Sequence, residues 1–204
     1  MNDTFTEADL APSPQEKRDR LLAVVDRVAA LVAVLAGGVY IGGMIALGAG
    51  AAPIVFSKLP RPIAGEVMGA VFARFDAVAL GAALAVLAAE VTRTLATHRR
   101  GRTILSRVRR SCTLFMAVSA AYVALSLSPR INELHRQGVQ RDDTPQGQVL
   151  EAVHKRAELF GKIGMGMAFG LVVLSVFTIQ PRRPEDEEDD EEAVAPLPPG
   201  PRDD

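Results

Sequence analysis

The sequence predicts an all-α fold, an integral membrane four-helix bundle with disordered N- and C-terminal tails. The first observation is that four stretches are long, apolar and nearly free of charge. The longest, Val28 to Ser57, has no charged side chain in thirty residues, whereas about 20 apolar residues suffice to cross a hydrocarbon core of roughly 30 Å. The second observation is that charged residues gather between these stretches and at the ends of the chain. A lipid bilayer is the solvent that suits this pattern.

The four predicted spans are helices rather than strands. Their Leu, Val, Ala, Phe and Met residues show neither strand alternation nor a one-sided helical stripe, which is typical of helices that are apolar all round. Helices also pair their backbone polar groups within the segment, as lipid requires. We place the spans at about 28–52, 67–92, 111–129 and 163–180, inside a transmembrane domain over 21–180.

The first stretch is too long for one crossing, because a helix of that length would extend about 45 Å. We therefore expect a glycine-faced span from Val28 to about Gly50 and an outer turn from Ala51 to Pro62, where three prolines interrupt the helix. In the third connection, turn residues predict a loop over 137–145, and an apolar stripe predicts a helix from 146 that continues into span four.

The two ends of the chain differ from its body in composition. Residues 1–20 are predicted to be a flexible N-terminal segment, and the acidic, proline-rich residues 181–204 a disordered tail. This tail has ten acidic and three basic residues, a net charge of -7, so the rest of the chain, with 20 basic and 14 acidic residues, carries +6. A solvated tail is the simpler interpretation, and an acidic docking tail is the alternative.

Arginine is concentrated between spans two and three. Residues 93–110 include seven Arg and no Asp or Glu, and such an excess is typical of cytoplasmic loops. Four spans then place both termini in the cytoplasm. We expect a multi-pass protein of the cell membrane, a bacterial inner membrane. The 19 Arg against 4 Lys fit a GC-rich bacterial genome as easily as a binding role and indicate no partner. Residues 130–162 argue the other way, since they hold six basic residues of their own.

Span two contains the polar residues that are hardest to place. Asp76 and Glu90 are fourteen residues apart, about 21 Å along a helix, so both cannot lie outside the hydrocarbon core. We expect Glu90 to pair with Arg93 at the inner interface. Arg74, Asp76 and His154 form a candidate polar intramembrane site on the outer half, because such residues usually face the bundle or a wet cavity. Interfacial snorkelling and a helix–helix salt bridge are the simpler alternative. The candidate cations for Asp76 are Arg130, Arg156 and Lys162.

Motifs of catalytic, cofactor and metal sites are missing from the sequence. His98, His135 and His154 cannot face one another across the membrane interior as haem ligands would, although the last two share the outer side. Cys112 is the single cysteine and suits a small buried position. No metal-ligand spacing, Walker loop, nucleophile elbow or dinucleotide fingerprint occurs. We expect no catalytic residue, cofactor, metal, nucleic acid or known small-molecule ligand, and the lipid bilayer as the partner.

Two glycine motifs predict close helix packing. Gly38 and Gly42 in span one, and Gly166 and Gly170 in span four, both fit G-x-x-x-G, which lets helix backbones approach closely. We expect spans one and four to touch through these glycines, with homodimerisation as an alternative use.

One region of the sequence resembles a known family. Its landmarks are Gly48 to Pro60 (GAGAAPIVFSKLP), the Ala64-Gly65 step, Gly69 to Asp76 (GAVFARFD) and Leu150 to His154 (LEAVH). These segments resemble the transmembrane protein 205-like family, whose bacterial members form a domain of unknown function. The similarity covers about residues 31–180, although Ala157 stands where relatives have a serine. The resemblance implies a four-helix integral membrane protein without an established biochemical activity.

Three functions are compatible with these features. The first is a small non-enzymatic membrane protein in which the bundle itself is the functional module. The second is a transporter or permeation protein with a polar cavity on the outer half of the bundle. The third and weakest is an intramembrane enzyme, for which Asp76 with His154 is the nearest approach to an acid/base pair. Transport predicts that Arg74, Asp76 and His154 face one interior cavity.

Overall fold

The structure, a computed structural model, describes residues 13–96 and 103–178, and its regular secondary structure there is entirely helical. Two π-helical segments interrupt the α-helices. The elements are α1 (Pro14–Ile45), the first π segment (Ala46–Ala51), α2 (Ala52–Lys58), α3 (Arg61–Ala96), α4 (Ile104–Tyr122), the second π segment (Val123–Leu127), α5 (Ser128–Arg136) and α6 (Pro145–Phe177). The predicted all-α fold is confirmed.

Four helical stretches of the described chain are long and apolar enough to cross a membrane. They are Pro14–Lys58, Pro62–Ala96, Ile104–Arg136 and Pro145–Phe177. Only 22–28% of their most apolar windows is buried inside the bundle. Large apolar side chains therefore point outward on every one of them, among them Leu35, Leu84, Leu125 and Phe169. An outer surface of this kind suits lipid and not water.

The four long helices form an antiparallel bundle. α1 packs against α3 and α6, and α4 packs against the same two helices from the other side. The core between them is built around Tyr40, Val86, Met116, Ala168 and Leu171, all of which are almost fully buried. Several alanines complete this core, and small residues let helices approach closely where lipid supplies no hydrophobic driving force.

The outer turn expected from Ala51 to Pro62 is wrong for most of its length. The helix continues through Pro53 to Lys58, and the break comes only at 59–60. The first π segment explains how Pro53 is tolerated: the Ala52 N–H donates to the Leu47 carbonyl, five residues back. The wider π turn makes room for a proline without ending the helix.

The first helix starts earlier than the sequence predicts, whereas the predicted continuous helix before and through span four is confirmed. α1 begins at Pro14, inside the segment expected to be flexible, because Ser13 and Glu16 form a capping box with reciprocal bonds of 3.2 and 2.6 Å. α6 runs unbroken from Pro145 to Phe177, so the helix expected before span four is continuous with it. The predicted flexible residues 1–12 and the acidic tail over 181–204 lie outside the described residues.

Candidate functional site

The three residues of the predicted polar site lie in different surroundings. Asp76 is half-buried and lines a cavity between α3 and α5. Arg74, two residues earlier, is exposed on the outside of the bundle. His154 is half-buried on α6, where its ring lies against that of His135. The structure therefore does not bring Arg74, Asp76 and His154 together around one cavity in the part of the chain that it describes.

The cavity beside Asp76 has a volume of about 250 Å³. One wall comes from α3, and the other from the second π segment and α5. Its polar lining consists of Asp76, Ser128 and Asn132, and the remaining side chains are apolar. A space of this size can hold several water molecules, since each takes about 30 Å³ in the liquid. The cavity is thus a polar site on an otherwise apolar helix surface.

The Asp76 carboxylate is poorly satisfied in this cavity. Ser128 lies beside the carboxylate in the cavity wall. One carboxylate oxygen, Oδ2, is buried and has no hydrogen-bond partner among the described residues. Lys162, one of the cations expected beside Asp76, pairs instead with Glu158 at 2.6 Å. Within the described chain no cation lies at ion-pair distance from Asp76, which leaves its charge uncompensated.

A proline adds a backbone group to the same cavity. The second π segment ends where the Ser128 N–H donates to the Val123 carbonyl, five residues back. The same five-residue step would pair the N–H of residue 129 with the Ala124 carbonyl. Residue 129 is a proline and has no N–H, so that bond cannot form. Both Ala124 and Pro129 line the cavity. Unwound or irregular backbone at membrane depth is tolerated where it lines a cavity of this kind.

The opposite end of the bundle contains an ionic network of six residues. Its members are Asp26, Glu90, Arg93, Arg109, Arg110 and Thr178. Arg109 Nε donates to Glu90 Oε2 at 2.8 Å, and its Nη2 donates to Oε1 at 3.0 Å. Arg93 Nε donates to Asp26 Oδ1 at 2.9 Å. Arg93, Arg109 and Glu90 are each at most 4% exposed, so these pairs are shielded from water.

Thr178 connects the two halves of the ionic network. Its hydroxyl accepts from Arg109 Nη1 at 2.6 Å and from Arg93 Nη2 at 3.4 Å, and it donates to the Leu174 carbonyl at 2.7 Å. Asp26 lies on α1, Arg93 on α3, Arg109 on α4, and Thr178 follows α6 directly. The network therefore joins all four long helices at one end.

The pairing expected for Glu90 is wrong. Its partners are Arg109 and, at 3.6 Å, Arg110, while Arg93 one turn later turns to Asp26. The sequence obscures this pairing because Arg109 and Arg110 belong to the basic connection, whose arginines indicate membrane topology. One signal was present: α4 has to start near the end of α3, which brings Arg109 within reach of a carboxylate that lipid would not tolerate unpaired.

A pair of histidines lies near the cavity end. The rings of His135 on α5 and His154 on α6 have centroids 5.8 Å apart and planes inclined by 47°, as their shared side in the sequence suggested. Glu151, one turn before His154, forms ion pairs with Arg141 at 3.4 Å and with Lys155 at 3.5 Å. Across the described residues, no group of three or more His, Cys, Asp or Glu is placed to hold a metal ion.

The helix-packing glycines are not the predicted ones. Spans one and four do touch, but a Cβ at Gly38, Gly42 or Gly166 would meet no atom within 4 Å outside its own helix neighbourhood, and at Gly170 it would meet only Cys112 on α4. The close contacts involve other glycines of the same helices. A Cβ at Gly37 would lie 2.8 Å from Val172 Cγ2, and one at Gly164 would overlap the Tyr40 hydroxyl. The prediction names the correct pair of helices, but the faces that they turn toward each other carry Gly37 and Gly164 and not the G-x-x-x-G glycines.

Comparison with known proteins gives one match. The family model of DUF4149, a domain of unknown function, matches residues 35–140, just over half of the chain. The matched region runs from the middle of α1 to the loop after α5, and so contains Asp76, Ser128, Asn132, Glu90 and Arg109. No curated protein and no solved structure matches the chain.

Proposed function

The chain belongs to the DUF4149 family, and from this premise we propose that it is a small, non-enzymatic, multi-pass membrane protein in which the helix bundle itself is the functional module. The observation that carries the proposal is the ionic network, which uses the best-buried charges of the described chain to join four helices. Buried charges in this arrangement serve assembly, since each acidic member is engaged by a guanidinium.

Within that family, the chain is of the transmembrane protein 205-like type. The landmarks that support this assignment fall on structurally distinctive places. The segment from Gly48 to Pro60 includes the last four residues of the first π segment and all of α2, and the segment from Gly69 to Asp76 includes Ala73 and Asp76, two of the residues of α3 that line the cavity. A Gly-Pro sequence pattern that coincides with a π turn has a physical reason to recur.

The protein resides in the cell membrane, a bacterial inner membrane, with both termini in the cytoplasm. The seven arginines of residues 93–110 support this orientation, and three of them, Arg93, Arg109 and Arg110, also belong to the ionic network at that end of the bundle. The test is a pair of fusions. GFP after Gln180 should fluoresce and alkaline phosphatase there should be inactive, while phosphatase after Gly138, in the loop at the other end, should be active. The reverse pattern would invert the orientation.

A second copy of the chain is a proposed partner. Gly38 and Gly42 support it, because both are exposed on α1 and would meet nothing within 4 Å. A G-x-x-x-G pair on a lipid-facing surface is available for a neighbouring helix.

Transport or permeation is the second candidate function, and the cavity beside Asp76 favours it. A carboxylate that faces a cavity at membrane depth is a common mark of an ion or substrate pathway. A deletion strain should be screened against metals and small toxic compounds and then complemented. Asp76→Asn should fail to complement, whereas Glu66→Gln, an exposed acid on the same helix, should complement fully. Full complementation by both would remove the transport candidate.

A further inference from the structure

We infer that the cavity between α3 and α5 is a binding site for a small monovalent cation of the size of Na⁺. The inference deepens the transport candidate, since it names the chemical class that the cavity takes. It begins from the charge of Asp76. This carboxylate has no cation at ion-pair distance within the described chain, and its Oδ2 atom is buried without a hydrogen bond. A charge in that position needs a positive partner.

The donor set of the cavity consists of hard oxygen atoms. Asp76 supplies the carboxylate, Ser128 a hydroxyl and Asn132 an amide carbonyl. Ala124 also lines the cavity, and in the π register its carbonyl has no donor at Pro129. Oxygen ligands of this kind bind alkali and alkaline-earth cations, while transition metals prefer nitrogen and sulfur. The nearest imidazoles, those of His135 and His154, are not part of the cavity lining.

The charge count selects a monovalent ion. Among the described residues, Asp76 is the only ionisable side chain that lines the cavity, and sites for Ca²⁺ or Mg²⁺ generally use more than one carboxylate or several bound waters. A proton is the competing ligand, because the Ser128 hydroxyl and the Asn132 amide carbonyl in the same cavity are acceptors for a protonated carboxyl group, and the pH dependence of binding distinguishes the two. A cavity of about 250 Å³ leaves space for waters to complete the coordination shell.

The position in the fold matches the way membrane proteins build such sites. The second π segment breaks the regular α-helical bonding between α4 and α5, and Asp76 faces this break from α3. Interrupted helices whose carbonyl groups point into a cavity are the usual cation sites of secondary transporters. Gly69, about two turns before Asp76, lies beside Asn132, since a Cβ there would be in ordinary van der Waals contact with Asn132 Oδ1 at 3.7 Å.

Binding can be measured on the purified full-length protein in detergent. Cys112 is the single cysteine and is half-buried, so a thiol-reactive fluorescent dye reports unfolding on heating. NaCl should raise the melting temperature in a saturable way when choline chloride keeps the ionic strength constant, because a ligand that binds the folded state stabilises it. Asp76→Asn should weaken Na⁺ binding by at least about tenfold, and Ser128→Ala should weaken it less. Glu66→Gln is the matched control and should bind as the unaltered chain does.

Three results would overturn the inference: no Na⁺-dependent shift, an equal shift in Asp76→Asn, or a shift that follows pH and ignores Na⁺. Equilibrium dialysis with radioactive Na⁺ gives a second measurement if Asp76→Asn fails to fold, because Ser128→Ala and Asn132→Ala should then still show reduced retention. Uptake into proteoliposomes separates binding from transport. Binding without uptake would refute the transport candidate and leave the cation site intact, whereas uptake unchanged by Asp76→Asn would refute the site.

Discussion

Arg109 holds Glu90 with two parallel bonds, Nε to Oε2 at 2.8 Å and Nη2 to Oε1 at 3.0 Å. Both side chains are almost fully buried, at 4% and 6% exposure. The planar guanidinium suits a carboxylate in this two-pronged geometry, and Lys could not reproduce it. The third nitrogen, Nη1, reaches the Thr178 hydroxyl at 2.6 Å. One arginine therefore fixes the start of α4 against the end of α3 and the end of α6.

Removing this guanidinium should strongly destabilise the bundle. We expect Arg109→Met to lower the free energy of unfolding by about 3–5 kcal/mol, because Glu90 would remain buried with only the more distant Arg110 beside it. Arg107→Met is the matched control, since Arg107 is exposed on the same helix. The measurement is unfolding of the purified protein in mixed micelles, followed by circular dichroism.

The double variant Glu90→Leu with Arg109→Leu separates pairing from burial. Replacing both members by apolar residues should recover most of the loss, because such pairs contribute little net stability relative to well-packed apolar residues. Equal damage from the single and double variants would show that the pair itself, and not the unpaired carboxylate, determines the stability of this end.

Gly164 should be intolerant of a methyl group that Gly166 accepts. A Cβ at Gly164 would overlap the hydroxyl of Tyr40 and lie 3.4 Å from Ser119 Cβ, and Tyr40 is too buried to move aside. We expect Gly164→Ala to cost about 1–3 kcal/mol by overpacking, and Gly166→Ala to leave the stability unchanged or raised by up to about 1 kcal/mol. Melting temperatures of the two variants provide the comparison. If Gly164→Ala and Gly166→Ala lowered the melting temperature equally, the contact between α1 and α6 would include the helix face that the G-x-x-x-G motif predicts.

The glycine result shows how far sequence reasoning reaches in this protein. Long uncharged stretches predict four helices because lipid imposes length and internal hydrogen bonding, and this part is confirmed. The face that each helix presents to its neighbours is harder to predict, because helices that are apolar all round lack the polar stripe that orients a soluble helix. The G-x-x-x-G spacing selects Gly38, whereas the close contact lies at Gly37, one residue away and about 100° around the helix.

For the candidate sites too, the depth of a residue in the membrane can be predicted from the sequence, whereas its neighbours on other helices cannot. Asp76 was recognisable as a polar residue at membrane depth from its spacing to Glu90 alone. Its companions Ser128, at the end of predicted span three, and Asn132, just after it, are not recognisable in the same way. Both lie more than fifty residues from Asp76, and only tertiary packing brings them to α3. Arg74, His154 and Asp76 share the outer side of the membrane. That shared depth does not determine which way each side chain points from its own helix.

The loop before α6 should open when Gly147 receives a side chain. Gly147 is buried, its N–H donates to the Thr144 hydroxyl at 3.1 Å, and a Cβ there would overlap the backbone of Asp142. We expect Gly147→Ala to displace this loop and to speed tryptic cleavage after Arg141, which is held at 3.4 Å from Glu151. Gln146→Ala, at the exposed neighbouring position, should be cleaved at the original rate. Unchanged cleavage in Gly147→Ala would show that the loop adapts without losing its contacts.

Large residues at Gly38 and Gly42 should test self-association without disturbing the fold. A Cβ at either position would meet no atom within 4 Å in the monomer, so Gly38→Leu with Gly42→Leu should keep the monomer folded while blocking the close approach of a second α1. We expect the unaltered chain to give a dimer mass by light scattering in mild detergent and this variant to give a monomer mass. Gly166→Leu is the matched control, because it is equally open but lies on α6. A dimer that persists in the α1 variant would place the interface elsewhere. A monomer in the unaltered chain would mean that these exposed glycines face lipid alone.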